Sequence, residues 1–175
     1  MKTAIRKTIF LILLGAGLTS MAQIHIPNTN TSFEFPNNGW KYQSTLKVDN
    51  QTTVYLYAYT SEIIVDSKGD TVMPYMRILV KNKYKGSTYD LAYARFMQQP
   101  FESLNNYTDG IPGTDGIGYV GAYTSTLDQK DYQFKMIYFK DKDNILEIRL
   151  ETSYGTYDKM EKDFDNIIKT IKVKK

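Results

Sequence analysis

The stretch NILEIRLETSYGTYDKMEKDFDNIIKTI, residues 144–171, decides the fold. Its first part alternates between apolar and charged side chains, which predicts a β-strand over 144–152 with one face in the core and one in water. The inward side chains are Leu146, Ile148 and Leu150, and the outward ones are Glu147, Arg149 and Glu151. Its second part places apolar residues three or four positions apart, which predicts an amphipathic helix laid on a sheet. The apolar residues of this helix are Tyr157, Met160, Phe164, Ile167, Ile168 and Ile171.

Upstream of this unit, short runs bounded by turn residues predict several more strands. The predicted strands cover residues 32–35, 40–48, 53–59, 62–65, 71–82, 117–124 and 131–140. The turn at 66–70 contains Gly69, which tolerates a positive φ and so favours a hairpin.

One internal segment changes to a helical period. Ser87 and Asp90 fit a capping box, in which each side chain bonds a free backbone amide at the helix start. A helix is predicted over 88–98, ended by Gln99-Pro100, with one apolar stripe. The stripe is Tyr89, Ala92, Tyr93, Phe96 and Met97, and residues 105–118 are predicted to be irregular. Strands joined by hairpins, with one helix between two strand groups and one at the end, predict an α+β domain with a mainly antiparallel sheet.

The first 22 residues have the pattern of a secretory signal peptide. Lys2, Arg6 and Lys7 precede a short apolar run, and small residues stand before a predicted cut between Ala22 and Gln23. We therefore expect a periplasmic or secreted protein. No later stretch is long and apolar enough for a membrane span. Residues 23–31 are predicted to be a flexible leader, and residues 32–175 a single domain.

Charge and cysteine content exclude several functions. The full chain has 22 basic and 19 acidic residues, and three basic ones precede the cut, so the exported chain has 19 of each. A neutral chain gives no electrostatic reason to expect nucleic acid as a partner. The sequence has no cysteine, which excludes disulfides, thiolate chemistry and a lipid on a cleavage-site cysteine.

Two motifs resemble the PsbP-like superfamily, which includes the extrinsic photosystem II subunit and a eukaryotic factor that binds a nuclear-import GTPase. Phe33-x-Phe35-Pro36-x-x-Gly39-Trp40 is similar to the opening motif of that group, and residues 164–171 are similar to its final helix. The resemblance implies an α/β/α sandwich around an antiparallel sheet, here in a bacterial envelope branch. It implies no particular activity, and no metal or partner site of a characterised member is matched.

Residues for catalysis are sparse. The one histidine, His25, lies in the predicted leader, away from any nucleophile that it could activate. Glu34, Glu62 and Glu102 leave a carboxylate-dependent hydrolase formally open, although no spacing marks a pair. The acid-rich turns lack a calcium-loop pattern, and the glycines of 113–118 lack a phosphate-loop pattern. The sequence therefore predicts no enzyme, no cofactor and no metal site.

Tyrosine is in excess, with 15 residues. Tyr55, Tyr57 and Tyr59 share one side of a strand, and Tyr119 and Tyr123 share one side of another. Two interpretations stand: the rings fill the helix-covered face of the sheet, or they form a binding surface. The irregular segment 105–118 is a second candidate contact surface.

The leading hypothesis is a monomeric, non-catalytic binding or accessory module of the cell envelope, with an envelope protein or glycan as partner. The alternatives are a carrier that holds a small apolar ligand between sheet and helix, and a carboxylate-dependent hydrolase. Separately, Asp70-Thr71-Val72 resembles the Asp-Ser/Thr-aliphatic acceptor of O-glycosylation in some bacterial envelopes, which marks Thr71 as a possible acceptor.

Overall fold

The computed structural model describes residues 23–98, 101–107, 111 and 114–174. Its centre is a seven-stranded sheet with the strand order β3-β4-β7-β11-β10-β9-β8, in which every neighbouring pair is antiparallel. The predicted α+β class with a mainly antiparallel sheet is confirmed. Its strands are β3 (Trp40–Lys47), β4 (Thr52–Tyr59), β7 (Tyr75–Lys81), β8 (Ser103–Tyr107), β9 (Ile117–Thr124), β10 (Asp131–Asp141) and β11 (Asn144–Ser153).

Two smaller sheets flank the large one. The first has the order β1-β2-β12, formed by Ile24–His25, Thr31–Phe33 and Lys172–Val173. The second is a hairpin of β5 (Ile64–Val65) and β6 (Thr71–Val72), whose turn holds Gly69 at φ 85° as its sequence predicts. Met73 and Pro74 separate β6 from β7, so the single strand predicted over 71–82 is two strands.

Residues 23–31, predicted to be a flexible leader, include β1 and a core residue in the structure. Ile24 pairs with Phe33, and Ile26 is only 2 % exposed within the main core. The segment is further held where the backbone amide of Asn30 and the hydroxyl of Thr31 both donate to the buried carboxylate of Asp141. The sequence does not indicate these contacts, because Asp141, which accepts the hydrogen bonds from Asn30 and Thr31, lies more than 100 positions away.

Helix α2 (Tyr157–Thr170) covers one face of the sheet. The predicted stripe is confirmed, because all six of its apolar residues are buried. They pack on inward side chains of the central strands, including Met76, Ile78, Leu146, Ile148 and Leu150. Below we call this side the α2 face.

Helix α1 (Thr88–Phe96) covers part of the opposite face, mainly over β10. Its capping box is present: the Ser87 hydroxyl accepts from the Asp90 amide and the Asp90 carboxylate accepts from the Ser87 amide. The predicted apolar stripe is wrong for Tyr89, Tyr93 and Met97, which are exposed, and right for Ala92, which is buried together with Thr88 and Leu91. We call this side of the sheet the α1 face.

The charged side chains of β11 are buried, whereas the alternation of the sequence predicts that they face water. Glu147, Arg149 and Glu151 are 1 %, 4 % and 0 % exposed, not in water. The strand is the central one of the seven, fourth from either end of the order, and its α1 face is covered by α1 and by tyrosines of β7 and β9. Strand β8, which overlaps the start of the predicted irregular region 105–118, pairs with β9 and was missed because SLNNY carries no apolar alternation.

Candidate functional site

Two of the predicted surface tyrosines lie in the core of the α2 face. Tyr55 and Tyr57 are 8 % and 7 % exposed, and the ring of Tyr57 packs edge-on against Phe33 and Phe35. Tyr59 is partly buried and contacts Trp40 at a ring-centroid distance of 5.7 Å. This stripe therefore fills the helix-covered face, the first of the two interpretations, and Tyr55 and Tyr57 cannot form an exposed contact surface.

The other two tyrosines lie on the α1 face. Tyr119 is partly buried and meets Phe96 of α1 edge-on, with ring centroids 4.6 Å apart. Tyr123 is partly buried, stacks on Tyr132 at 5.6 Å and donates a hydrogen bond of 2.8 Å to Glu151. The structure thus separates the five predicted residues into two groups on opposite faces of one sheet.

An exposed aromatic surface extends from Tyr119 onto α1. Its members are Tyr89, Tyr93, Phe96, Met97 and Tyr119, and we call it the aromatic surface. Tyr89, Tyr93 and Met97 are 64 %, 54 % and 71 % exposed, and the two tyrosine rings lie nearly parallel, 6.3 Å apart. At about 200 Å² for each full side chain, these three present roughly 380 Å². A patch of that size on a monomer is often functional.

Four members of the aromatic surface, Tyr89, Tyr93, Phe96 and Met97, belong to the stripe that the sequence predicts for the buried side of the helix. The stripe omitted Leu91, which together with Thr88 and Ala92 forms the buried side. Aromatic residues carry more apolar area than Leu or Ala, so a composition-weighted stripe selects them for the core. Arg95 favours the observed orientation of the helix, because the carboxylate that it contacts, Glu147, lies under the helix.

Arg95 ties α1 to the sheet through a buried carboxylate. Its Nε donates to Glu147 at 3.1 Å, and Nη2 of Arg77 donates to the same carboxylate at 2.6 Å. Glu147 lies on β11 and both arginines are partly exposed, so the carboxylate is shared between the helix and the sheet. This charge-assisted contact fixes the orientation of α1 and with it the direction of the aromatic surface.

A second buried carboxylate lies further along β11. Glu151 forms an ion pair with Arg149 and accepts hydrogen bonds from the hydroxyls of Tyr75 and Tyr123. The guanidinium of Arg149 lies over the rings of Phe134 and Tyr123, at 4.5 and 4.8 Å. Burial and then the negative charge of Glu151 raise the pKa of Tyr123 to about 12, and the same causes raise the pKa of Tyr75 further.

These acids are not arranged as a hydrolytic pair. Glu147 and Glu151 are four residues apart on one strand, which separates them by about 13 Å at ~3.3 Å per residue. Glycosidase carboxylates lie within about 5 to 9.5 Å of each other. Of the acids named from the sequence, Glu34 follows β2, Glu62 lies between β4 and β5, and Glu102 precedes β8.

His25 is exposed on β1, opposite Ser32. Within the described ranges, no three His, Asp or Glu side chains converge as metal ligands would. In the same ranges, no helix is both long and apolar enough to cross a membrane.

The space between the sheet and α2 is filled by side chains. Phe164, Ile167, Met76 and Ile78 are all fully buried there, at 0 % exposure. A hollow of about 590 Å³ lies instead at the end of the sheet, among the turns that follow β3, β7 and β10. Its lining is polar: Asn28, Asn50, Gln51, Asn82, Lys83, Lys142, Asp143 and Asn144.

Gln23 is exposed and its amide donates to the Ser32 hydroxyl, while Ala22 lies outside the described residues. Thr71 is exposed on the β5–β6 hairpin. Only parts of the 105–118 segment are described, and of these Ile111 belongs to the main core.

An antiparallel sheet between two helices, with a further strand group before the first helix and a closing helix on the opposite face, is the PsbP-like fold. The comparisons with solved structures confirm it. Over 91 % of this chain and 96 % of the other, the structure is similar to cyanobacterial PsbP (CyanoP) from Synechocystis sp., with a TM-score of 0.52 and 14 % identity. It is also similar to LpqN, a protein involved in cell envelope biogenesis of Mycobacterium tuberculosis, with a TM-score of 0.51, 9 % identity and coverage of 88 % and 90 %. No family model and no curated protein matches the sequence.

Proposed function

We propose that this chain is an exported, non-catalytic binding or accessory module of the bacterial cell envelope, and that the aromatic surface is its contact site. The observation that carries the proposal is the exposure of Tyr89, Tyr93 and Met97 on a helix whose orientation is fixed by a buried ion pair. The signal-peptide pattern of residues 1–22, with its predicted cut between Ala22 and Gln23, supports the export part of the proposal.

The composition of the surface favours a protein partner over a glycan. Tyrosine and methionine are enriched at the centres of protein interfaces, where tyrosine gives a large contact area at a small entropic cost. Methionine adapts to irregular partners because its side chain is unbranched and polarisable. A rigid helix that presents these side chains loses little conformational freedom on binding.

The fold adds support of a weaker kind. LpqN, which shares the fold, is involved in cell envelope biogenesis in its own organism. A shared fold at this level of identity does not transfer a partner. The carrier and hydrolase alternatives have less support, because the space under α2 is filled and the buried carboxylates are ion-paired.

Crosslinking within the envelope tests the proposal. A photo-reactive residue at position 93 should capture a discrete partner in cells, and one at position 154 should not. Tyr154 is the matched control because it is 62 % exposed but lies outside the aromatic surface. The Tyr89→Ser/Tyr93→Ser double variant should weaken binding of that partner by about tenfold or more, as for two interface tyrosines.

The proposal fails if position 93 captures nothing while the protein is folded and exported. It fails equally if Tyr154→Ser weakens binding as much as the double variant does. A purified protein that turns over a substrate at enzyme-like rates would contradict the non-catalytic assignment.

A further inference from the structure

We propose that Thr71 is an O-glycosylation acceptor whose sugar covers the apolar side of the β5–β6 hairpin. The inference depends on export, which is part of the proposed function, and is otherwise independent of the aromatic surface. It starts from a sequence contrast within one hairpin. The chain has two Asp-Ser/Thr pairs, Asp66-Ser67 and Asp70-Thr71, and only the second is followed by an aliphatic residue, Val72.

The structure leaves the acceptor hydroxyl accessible. Thr71 is exposed on β6, and within the described residues its hydroxyl makes no hydrogen bond. The preceding Asp70 is half-exposed and held by Lys130, with Nζ 2.8 Å from the carboxylate. An exposed pair of this kind contributes at most about 1 kcal/mol, so it does not prevent a transferase from engaging Asp70.

The outer strand of the hairpin, β6, can also enter an enzyme cleft. β5 and β6 pair only with each other and stand outside the seven-stranded sheet. Ile64 of β5 is buried in the main core, whereas Thr71 and Val72 of β6 are exposed and partly exposed, so opening of this two-stranded pair can present residues 70–72 while Ile64 keeps its core contacts.

The chemistry is an ordinary glycosyl transfer. The donor is a sugar whose anomeric carbon is linked to a phosphate or diphosphate carrier. Oγ1 of Thr71 attacks that carbon, so a carbon–oxygen bond to Thr71 forms as the bond to the carrier phosphate breaks. The hydroxyl proton passes to a base of the transferase, the phosphate carrier leaves, and no oxidant or reductant is required.

A glycan here covers apolar side chains that the hairpin exposes. Ile63, Val65 and Met73 are 80 %, 43 % and 57 % exposed on and beside this hairpin. Thr71 is directly opposite Val65 in the strand pair, so the two side chains share one face. A sugar on Thr71 therefore lies over Val65. The hairpin adjoins α2, since Val65 and Met160 line one cleft, so the glycan leaves the aromatic surface on the α1 face open.

Intact-mass measurement of the protein from the envelope of its native host tests the inference. The wild-type chain should be heavier than residues 23–175, and the excess should disappear in Thr71→Val. Ser67→Ala is the matched control and should keep the added mass. Val72→Lys retains the hydroxyl but gives residues 70–72 the Asp-Ser/Thr-Lys pattern of the unmodified site, and should lose the mass as well.

Tryptic peptides locate the modification. Cleavage after Lys68 and Arg77 releases residues 69–77, in which Thr71 is the only Ser or Thr, while Ser67 falls in the preceding peptide. A chain cut at Gln23 that carries no added mass, or whose mass survives Thr71→Val, overturns this inference and leaves the proposed function standing. A chain with its leader intact overturns both.

Discussion

The two faces of the sheet are stabilised in different ways although the same strand, β11, contributes to both. Towards α2 it presents Leu146, Ile148 and Leu150, which meet an apolar stripe of four helical turns. Towards α1 it presents Glu147, Arg149 and Glu151, which meet arginines and tyrosines. Apolar contact is non-directional, whereas a charge-assisted hydrogen bond holds only at its own distance and angle.

The difference suggests a division of roles. Burial on the α2 face supplies most of the free energy of folding, because burial of apolar area is the dominant favourable term. The ionic α1 face contributes less net stability, since desolvation offsets much of the Coulombic attraction. It can instead specify where α1 lies, which is what a contact surface on that helix requires.

The largest expected effect compares the two helices through one core residue of each. Phe164→Ala on α2 should lower the free energy of unfolding by about 3–5 kcal/mol, because it leaves a cavity at a fully buried site. Leu91→Ala on α1 should cost about 2 kcal/mol, near the lower limit for such changes, because the short helix can move into the space. Urea denaturation of both variants measures the difference. Equal costs would contradict the division of roles.

The next effect separates pairing from burial on the α1 face. Glu151→Leu should cost about 3 kcal/mol, because it leaves the charge of Arg149 buried without its carboxylate. Adding Arg149→Met should recover part of this loss, since an apolar pair can replace a buried ion pair, while the hydroxyls of Tyr75 and Tyr123 still lack their acceptor. Denaturation of the single and double variants gives the coupling energy. A double variant as unstable as Glu151→Leu would show that the pair itself stabilises the fold.

The sequence correctly predicts those elements that are encoded within a short segment of the chain. The α2 stripe, the capping box at Ser87 and Asp90, and the bounds of β9 agree with the structure because each is encoded within a short segment. Periodicity and capping are local physics, and the PsbP-like motifs are local as well. These elements were enough for the fold.

The candidate site could not be predicted in the same way. Alternation in β11 is identical whether its charged side meets water or a second set of charges, and only the partners Arg77, Arg95 and Tyr123 decide between them. Those partners lie on three other elements, from 28 to 70 positions away in sequence. Reversal of the α1 stripe has the same cause, because the contact of Arg95 with Glu147 selects the buried side.

The smallest expected effect is the pH dependence that Tyr123 contributes on the α1 face. The pKa of Tyr123 is about 12 in the folded protein against an ordinary value of 10, because burial and Glu151 oppose the phenolate. Below pH 10 both states keep the proton, and this contribution to stability is fully present. Between pH 10 and 12 the unfolded chain loses the proton while the folded chain retains it, so stability falls as the pH rises. Tyr123→Phe removes that titration. The unfolding free energy of the variant should therefore fall less steeply from pH 10 to 12 than that of the wild-type protein. The lost hydrogen bond to Glu151 lowers the variant's stability at pH 8 without changing this comparison of slopes. Parallel slopes would mean that the Tyr123 phenol is not held by the Glu151 carboxylate, and that this part of the α1 face is solvated like an ordinary outer face of a sheet.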